Sequence, residues 1–312
     1  MKRAFAFVVL AIVVLVSWSA FSPVIETDFQ ALLHAAPLGA RVEDLLGQAY
    51  DKGFVVARDP REAAYWYAKA AATGDAAAQY DLGTMYEDGV GVPKDAVKAV
   101  AWYRKAAEQG YAVAQGNLGY MYQYGEGVPK DEAQAAYWYA KAAPQGDATA
   151  QDNLGYLYHF GLGVPQDAAK AVQWYRAAAE QGNAYGETNL GVMYEVGQGV
   201  PKDDAEAANW FSKAALQGQG TAQYNLGILC EQGRGVPKDD AQAVFWYRKA
   251  AEQGFARAQY NLGIMYANGR GTARDDTEAE RWFRKAADQG FAQAQYVIKT
   301  LYGGAGGTKA AH

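Results

Sequence analysis

The chain has 312 residues, half of them hydrophobic and 20% charged, which is ample for a sizeable buried core. A formal net charge of −5 argues against a nucleic-acid surface, which needs clustered Lys and Arg. The single cysteine, Cys230, excludes an intrachain disulfide and a cysteine-based zinc site, and the three histidines (His34, His159 and His312) are far apart in sequence.

At the N-terminus, Lys2 and Arg3 precede an apolar run from Ala4 to Val16, followed by Ser17, Trp18, Ser19 and Ala20. That is the layout of a secretory signal peptide. A cut after Ala20 puts Trp18 at the third position before the bond, whereas a cut after Ser19 puts Ser17 there. Extending the run to Phe21 gives roughly 18 mostly apolar residues, near the lower limit for a spanning helix. An uncleaved membrane anchor is therefore the alternative for residues 1–20. In either case the charge order places the remainder outside the cytoplasm, in the periplasm or secreted. No cysteine lies near the run, so lipid attachment there is excluded. Residues 21–38 read as an N-terminal capping segment, with a degenerate helix over 24–36.

From Tyr50 onward a fixed step governs the chain. Tyr50, Tyr86, Tyr122, Tyr158, Tyr194, Tyr266 and Tyr302 share one 36-residue register, and Cys230 takes the missing slot. The cysteine thus reads as a small buried hydrophobe in place of a ring, not as a reactive thiol. Trp66, Trp102, Trp138, Trp174, Trp210, Trp246 and Trp282 keep the same step, as do Gly74 through Gly290 and Leu46 through Leu262, with Ile298 last.

The third unit, residues 117–146, shows what one repeat does. Its first helix, helix A, carries Ala114, Leu118, Met121 and Tyr122 on one face of a 3.6-residue period. Gly119 sits inside it, at a cost of up to about 1 kcal/mol against Ala. Its recurrence at Gly83, Gly155, Gly191, Gly227 and Gly263 points to close approach of a neighbouring helix. Gly125 ends the helix in the left-handed region. Val128, ahead of Pro129, is pushed to extended geometry. Asp131 then caps helix B, as do Asp59, Asp95, Asp167, Asp203, Asp239 and Asp275. Glu62, Gln134, Glu206, Gln242 and Glu278 complete capping-box-like pairs, and Pro60 supplies a first-turn proline. Helix B presents Ala135, Trp138, Tyr139 and Ala142, with Lys141 and its equivalents toward the C-terminus, where the helix dipole favours a cation.

Seven complete pairs fit from Gly39. An eighth helix A over roughly 291–302 has Lys299 at the glycine position and reads as a terminal cap. The fold class is therefore all-α: an αα-superhelix, or solenoid, of seven 36-residue helix-turn-helix repeats spanning 39–302, with residues 303–312 a disordered Gly-rich tail.

With these residues in place the chain resembles the Sel-1-like repeat family, αα-solenoids similar to tetratricopeptide repeats but with a longer inter-helix loop. The resemblance rests on A-x-x-N-L-G-x-x-Y-x-x-G-x-G-V-P-x-D-x-x-x-A-x-x-W-Y-x-K-A-A-x-x-G, and the first repeat departs most, with Val55 and Ala57 replacing the second Gly and the Pro. It implies adaptor or scaffold work, often in exported bacterial proteins. One branch of the family, in Helicobacter, pairs two cysteines per repeat. This chain lacks them, so that branch's ligand activity is not carried over.

A second stripe on helix A is the candidate partner site. It comprises Asn117, Tyr120 and Tyr124 in the third repeat and Asn153, Tyr156 and Phe160 in the fourth, followed by Asn189, Asn225 and Asn261 with aliphatic or polar neighbours. These i, i+3, i+7 positions share one side of a helix. Related solenoids line their concave surface with helix A, and an Asn amide suits the N–H and C=O of an extended peptide. The aromatic pairs supply an apolar anchor. The alternative is that the asparagines only hold the repeats in register.

Catalysis is the weakest class: no Ser-His-Asp set, no histidine pair at ligand spacing and no Walker loop is present, and the GxG turns lack a preceding strand. No cofactor or metal is implied. The paired carboxylates such as Asp203–Asp204 read as a cap plus a first-turn acid rather than a calcium site. The expectation is a non-enzymatic scaffold of the bacterial cell envelope that binds a protein or peptide. A glycan-binding solenoid, using tyrosine stacking, is the other reading.

Overall fold

A computed structural model describes residues 39–53 and 56–303. The signal or anchor segment at 1–20, the capping segment at 21–38, Val55 and the tail from 304 lie outside the described residues. Among those described the chain is helical throughout, with no strand, and no helix is long and apolar enough to cross a membrane.

Two compact units divide at Gln145. The first contains α1 (Ala40–Lys52), α2 (Pro60–Ala72), α3 (Ala76–Asp88), α4 (Ala96–Glu108), α5 (Ala112–Tyr124) and α6 (Glu132–Ala142), which ends in a 3₁₀ turn over Ala143–Gln145. The second contains α7 (Ala148–Phe160), α8 (Ala168–Glu180), α9 (Ala184–Val196), α10 (Asp204–Leu216), α11 (Gly220–Gln232), α12 (Asp240–Glu252), α13 (Ala256–Asn268), α14 (Asp276–Asp288) and α15 (Ala292–Val297), which opens into a π-helical turn over Ile298–Tyr302. Odd-numbered helices are helices A and even-numbered ones helices B. Within each unit they stack as a solenoid.

The seven aspartates predicted as caps all cap. Asp131 Oδ1 accepts from the amides of Ala133 and Gln134, each at 3.0 Å. The reciprocal half of the predicted capping box differs. The Asp131 N–H donates instead to the carbonyl of Tyr122, at 2.9 Å, and the other six caps do the same to Tyr50, Tyr86, Tyr158, Tyr194, Cys230 and Tyr266. The cap residue thus ties the start of helix B to the end of helix A, closing the loop between them. Cys230, buried, serves this bond as well as a tyrosine does, because only its backbone is used.

The mid-helix glycine is explained by a ring rather than by a helix backbone. A Cβ on Gly119 would stand 2.7 Å from the Tyr139 ring, and the equivalent aromatic of helix B does the same at Gly83, Gly155, Gly191, Gly227 and Gly263. These rings are the centre of each repeat: Tyr103, Tyr139, Tyr175, Phe211 and Tyr247 are almost wholly buried. The second loop glycine is constrained differently. Gly127 has φ +69, and a Cβ there would lie 2.3 Å from the Ala96 carbonyl at the start of the preceding helix B. No described helix B precedes the first repeat, where Val55 occupies this slot.

Side-chain pairs follow the step as well. Tyr139 Oη donates to Gln123 Oε1 at 2.7 Å and Tyr247 Oη to Glu231 Oε2 at 2.6 Å. His159 fills this acceptor slot in the fourth repeat, with Nδ1 3.5 Å from Tyr175 Oη. Where the ring is Phe211 or Phe283 it has no hydroxyl, and the slot is free to change: Glu195 turns to Arg234, and Ala267 needs no partner.

Candidate functional site

Most repeated polar residues are spent between helices. Gln115, buried on α5, donates from Nε2 to the Ala107 carbonyl of α4 at 3.0 Å and accepts at Oε1 from Gln145 Nε2 at 2.8 Å. Gln79, Gln223 and Gln259 repeat both bonds with their own neighbours. In the fifth repeat Glu187 stands in this slot and accepts from Gln217 at 2.8 Å, with burial pushing its carboxyl above the usual range. This glutamine ladder links three successive helices at a time. Its signal was in the sequence as the 36-residue recurrence of Gln79, Gln115, Gln151, Gln223 and Gln259, matched by Gln109 through Gln289. The lysines late in helix B also have a specific partner: Lys105 Nζ lies 3.8 Å from the Trp102 ring centroid and Lys213 Nζ 3.8 Å from that of Trp210.

The helix-A stripe is placed as follows. Asn117, Asn153, Asn189, Asn225 and Asn261 are all half-buried. Asn189 Nδ2 donates to Asp152 Oδ1 on α7, at 2.8 Å. Asn117 faces the hydroxyls of Tyr80 and Tyr103, and Asn261 those of Tyr224 and Tyr247, opposing the upward push that burial gives these phenols. Three of the five therefore reach a side chain of the preceding repeat. An amide has two donors and two acceptor lone pairs, so each keeps capacity for a further partner.

The aromatic members behave differently. Tyr120 and Tyr124 are 40% and 57% exposed, and Tyr156 and Phe160 are 38% and 53% exposed, against 0% for Tyr139. Within α5 the Tyr120 and Tyr124 ring centroids are 4.5 Å apart, and within α7 those of Tyr156 and Phe160 are 4.6 Å apart. His159 stacks on Phe160 at 4.3 Å. Val196 continues the stripe on α9 at 58% exposure, whereas Ile228 and Ile264 are half-buried. Asn268 turns its amide back to the Ile264 carbonyl of its own helix.

Asp152 is a residue that reading the repeat alone misses. It precedes Tyr156 and Phe160 by one and two helical turns, and burial pushes its carboxyl up to about 6. A comparable carboxyl in the first unit, Asp81 on α3, is also raised to about 6, by burial and by the charges of Asp44, Asp51 and Asp75. Among the described residues no group of three His, Cys, Asp or Glu side chains could hold a metal ion.

The profile of the Sel1 repeat matches seven consecutive segments, 43–75, 76–111, 112–147, 148–183, 184–219, 220–255 and 256–291. The chain belongs to the Sel1 repeat family. Two solved Sel1-type structures are similar to it. One is c5321 of uropathogenic Escherichia coli, a protective antigen displaying an SLR fold, at 38% identity and a TM-score of 0.79, covering 92% of this chain and 60% of that one. This chain thus spans less than two thirds of that relative's length. The other is a Sel1 repeat protein from Oxalobacter formigenes, at 39% identity and a TM-score of 0.70, covering 84% of this chain and 76% of that one. No curated protein sequence matches. The Sel1 repeat solenoid is a general protein–protein interaction scaffold, and the seven-repeat register read from the sequence is the family's own.

Proposed function

We propose that this Sel1 repeat protein is a non-enzymatic adaptor of the bacterial cell envelope that captures a peptide segment of another protein on its helix-A surface. The observation that carries the reading is the pairing of exposed rings, Tyr120 with Tyr124 and Tyr156 with Phe160, beside the asparagines of helix A. Other exposed rings, such as Tyr65 and Tyr137 on helices B, stand singly, whereas these stand as pairs in contact on successive helices A. Large aromatic side chains so placed are the usual anchors of protein interfaces. The half-buried asparagines beside them retain donors and acceptors for a peptide backbone.

Export is proposed from the Lys2-Arg3 and apolar-run layout of residues 1–20, with cleavage favoured over retention as an anchor. The related c5321 chain is described as a protective antigen, which suits a protein displayed outside the cytoplasm.

The test is cross-linking in the native envelope, with mass spectrometry of what is captured, for the unaltered protein and for Tyr120→Glu and Tyr156→Glu. The proposal expects captured proteins to be lost from the variants while the melting temperature is unchanged. A large fall in melting temperature would show the rings to be structural. Binding confined to a soluble-glycan array, with no protein captured, would overturn peptide capture outright.

A further inference from the structure

One corner of the second unit differs from the second and seventh repeats in charge as well as in shape. In the second repeat Tyr80 packs on Tyr103 and Tyr111, with ring centroids 5.7 and 5.5 Å apart. In the seventh, Tyr260 packs in the same way on Phe283 and Phe291, at 5.6 and 5.3 Å. In the fourth repeat these three slots hold Asp152, Tyr175 and Asn183, and in the first, in the other unit, Asp44, Tyr67 and Asp75, where Asp44 is itself buried and accepts from Gln48 of its own helix. In the fourth, two rings are replaced by short polar side chains, and one of these is a carboxylate.

No described cation pairs with that carboxylate. Of the acids on the helices A of this unit, Glu195 pairs with Arg234 at 3.0 Å and Glu231 with Arg270 at 2.9 Å, while Glu187 accepts from Gln217. Asp152 receives one neutral hydrogen bond, from Asn189, and no described cation acts on it. Those helices carry two lysine or arginine side chains, Arg257 on α13 and Lys299 in the π-helical turn that ends α15. Beside Asp152 the exposed Tyr156 and Phe160 follow at i+4 and i+8, on the same stripe of α7.

We propose that Asp152 receives the side chain of a lysine or arginine on an extended peptide, while an apolar side chain of the same peptide rests on Tyr156 and Phe160. The inference rests on the peptide-capture reading and narrows it to a basic–apolar segment. Charge complementarity selects the occupant. A carboxylate held in a desolvated site and stabilised by one amide gains from an incoming cation, and the cation regains in the site the partner it loses from water. Distances agree. Four helical residues advance about 6 Å. Two residues of an extended chain advance about 6.6 Å and return to the same side. A basic residue two positions from an apolar one therefore spans Asp152 and Tyr156.

The experiment selects random twelve-residue peptides displayed on phage against the immobilised full-length protein. The enriched peptides are then measured free in solution, fluorescein-labelled, against the unaltered protein, Asp152→Asn and Phe160→Glu. Asp152→Asn is nearly isosteric and removes an unfavourably buried charge, so its melting temperature falls no lower than that of the unaltered protein. The proposal expects enrichment of Lys or Arg two positions from an aromatic or branched aliphatic residue. It also expects at least a tenfold loss of affinity in Asp152→Asn, together with loss in Phe160→Glu. Enriched peptides without a cation, or an affinity for Asp152→Asn within twofold of the unaltered protein, would overturn this inference. If Phe160→Glu still lost binding in that case, peptide capture itself would stand. If no peptide were enriched, both would fall.

Discussion

Two faces of the same helix obey opposite rules. On α5, Leu118, Gly119 and Met121 face inward and recur in nearly every unit, the last as Met or Leu, because each is fixed by a contact: Gly119 by the Tyr139 ring, the other two by full burial. On the same helix Tyr120 and Tyr124 face outward, and their slots hold Thr84 and Asp88 on α3 and Ile228 and Gln232 on α11. The first face shows how the repeats stack. The second is free of that duty, so what is written there can serve a partner. Repetition within one chain thus separates scaffold from site.

The sharpest way to break this comparison is at the ring. Tyr139→Ala should cost about 3–5 kcal/mol, since it empties the centre of a repeat and leaves Gln123 without its donor. Chemical denaturation should show a lowered midpoint, and a shift of under about 1 kcal/mol would mean that the inward face is not what holds the repeats together.

Asp152→Asn should act in the opposite direction. The carboxyl is raised by burial from its ordinary 3.8 to about 6. The folded state therefore holds a proton that the unfolded state releases between those values. This contribution to stability is full below about pH 4 and is lost as pH rises through 6. The asparagine variant should match the unaltered protein near pH 4 and exceed it at pH 7, by at most about 3 kcal/mol. Equal stability at both pH values would show that the Asp152 carboxyl is solvated.

Gly119→Ala is predicted to cost about 1–3 kcal/mol by overpacking, although alanine is the better helix former. A variant as stable as the parent would mean that Tyr139 can step aside. The smallest effect is expected at Tyr124→Glu, which should change stability by less than about 0.5 kcal/mol, as ordinary surface substitutions do. A melting curve is enough to check it.

Much of the scaffold was legible in the sequence, because it is periodic. The seven capping aspartates, the left-handed glycines ending each helix A and the Tyr50 register each answer to a local rule that needs only spacing. What spacing could not show was which atom meets which. The spacing of the capping-box glutamates and glutamines predicts that they complete the N-cap, whereas the Asp131 amide reaches the Tyr122 carbonyl, a bond between helices. The mid-helix glycine implied a close neighbour but not that the neighbour was an aromatic ring. At the candidate site, the residue types of Asn189 and Asp152 were in plain view 37 positions apart, and only the stacking of α7 and α9 makes them a pair. Recurrence does not mark Asp152, whose slot varies along the chain from Tyr80 and Tyr260 to Gly116 and Thr188.

The central claim is that partners meet the outward stripe of helix A and not helix B. Both carry exposed aromatics, Phe160 on α7 at 53% and Phe245 on α12 at 47%, so exposure alone does not distinguish them. A photo-crosslinking phenylalanine analogue placed at each position in turn, in the full-length protein irradiated in its native envelope, compares the two directly. Adducts from position 160 with none above background from position 245 are predicted. Equal yields from both, or adducts from position 245 alone, would contradict the account.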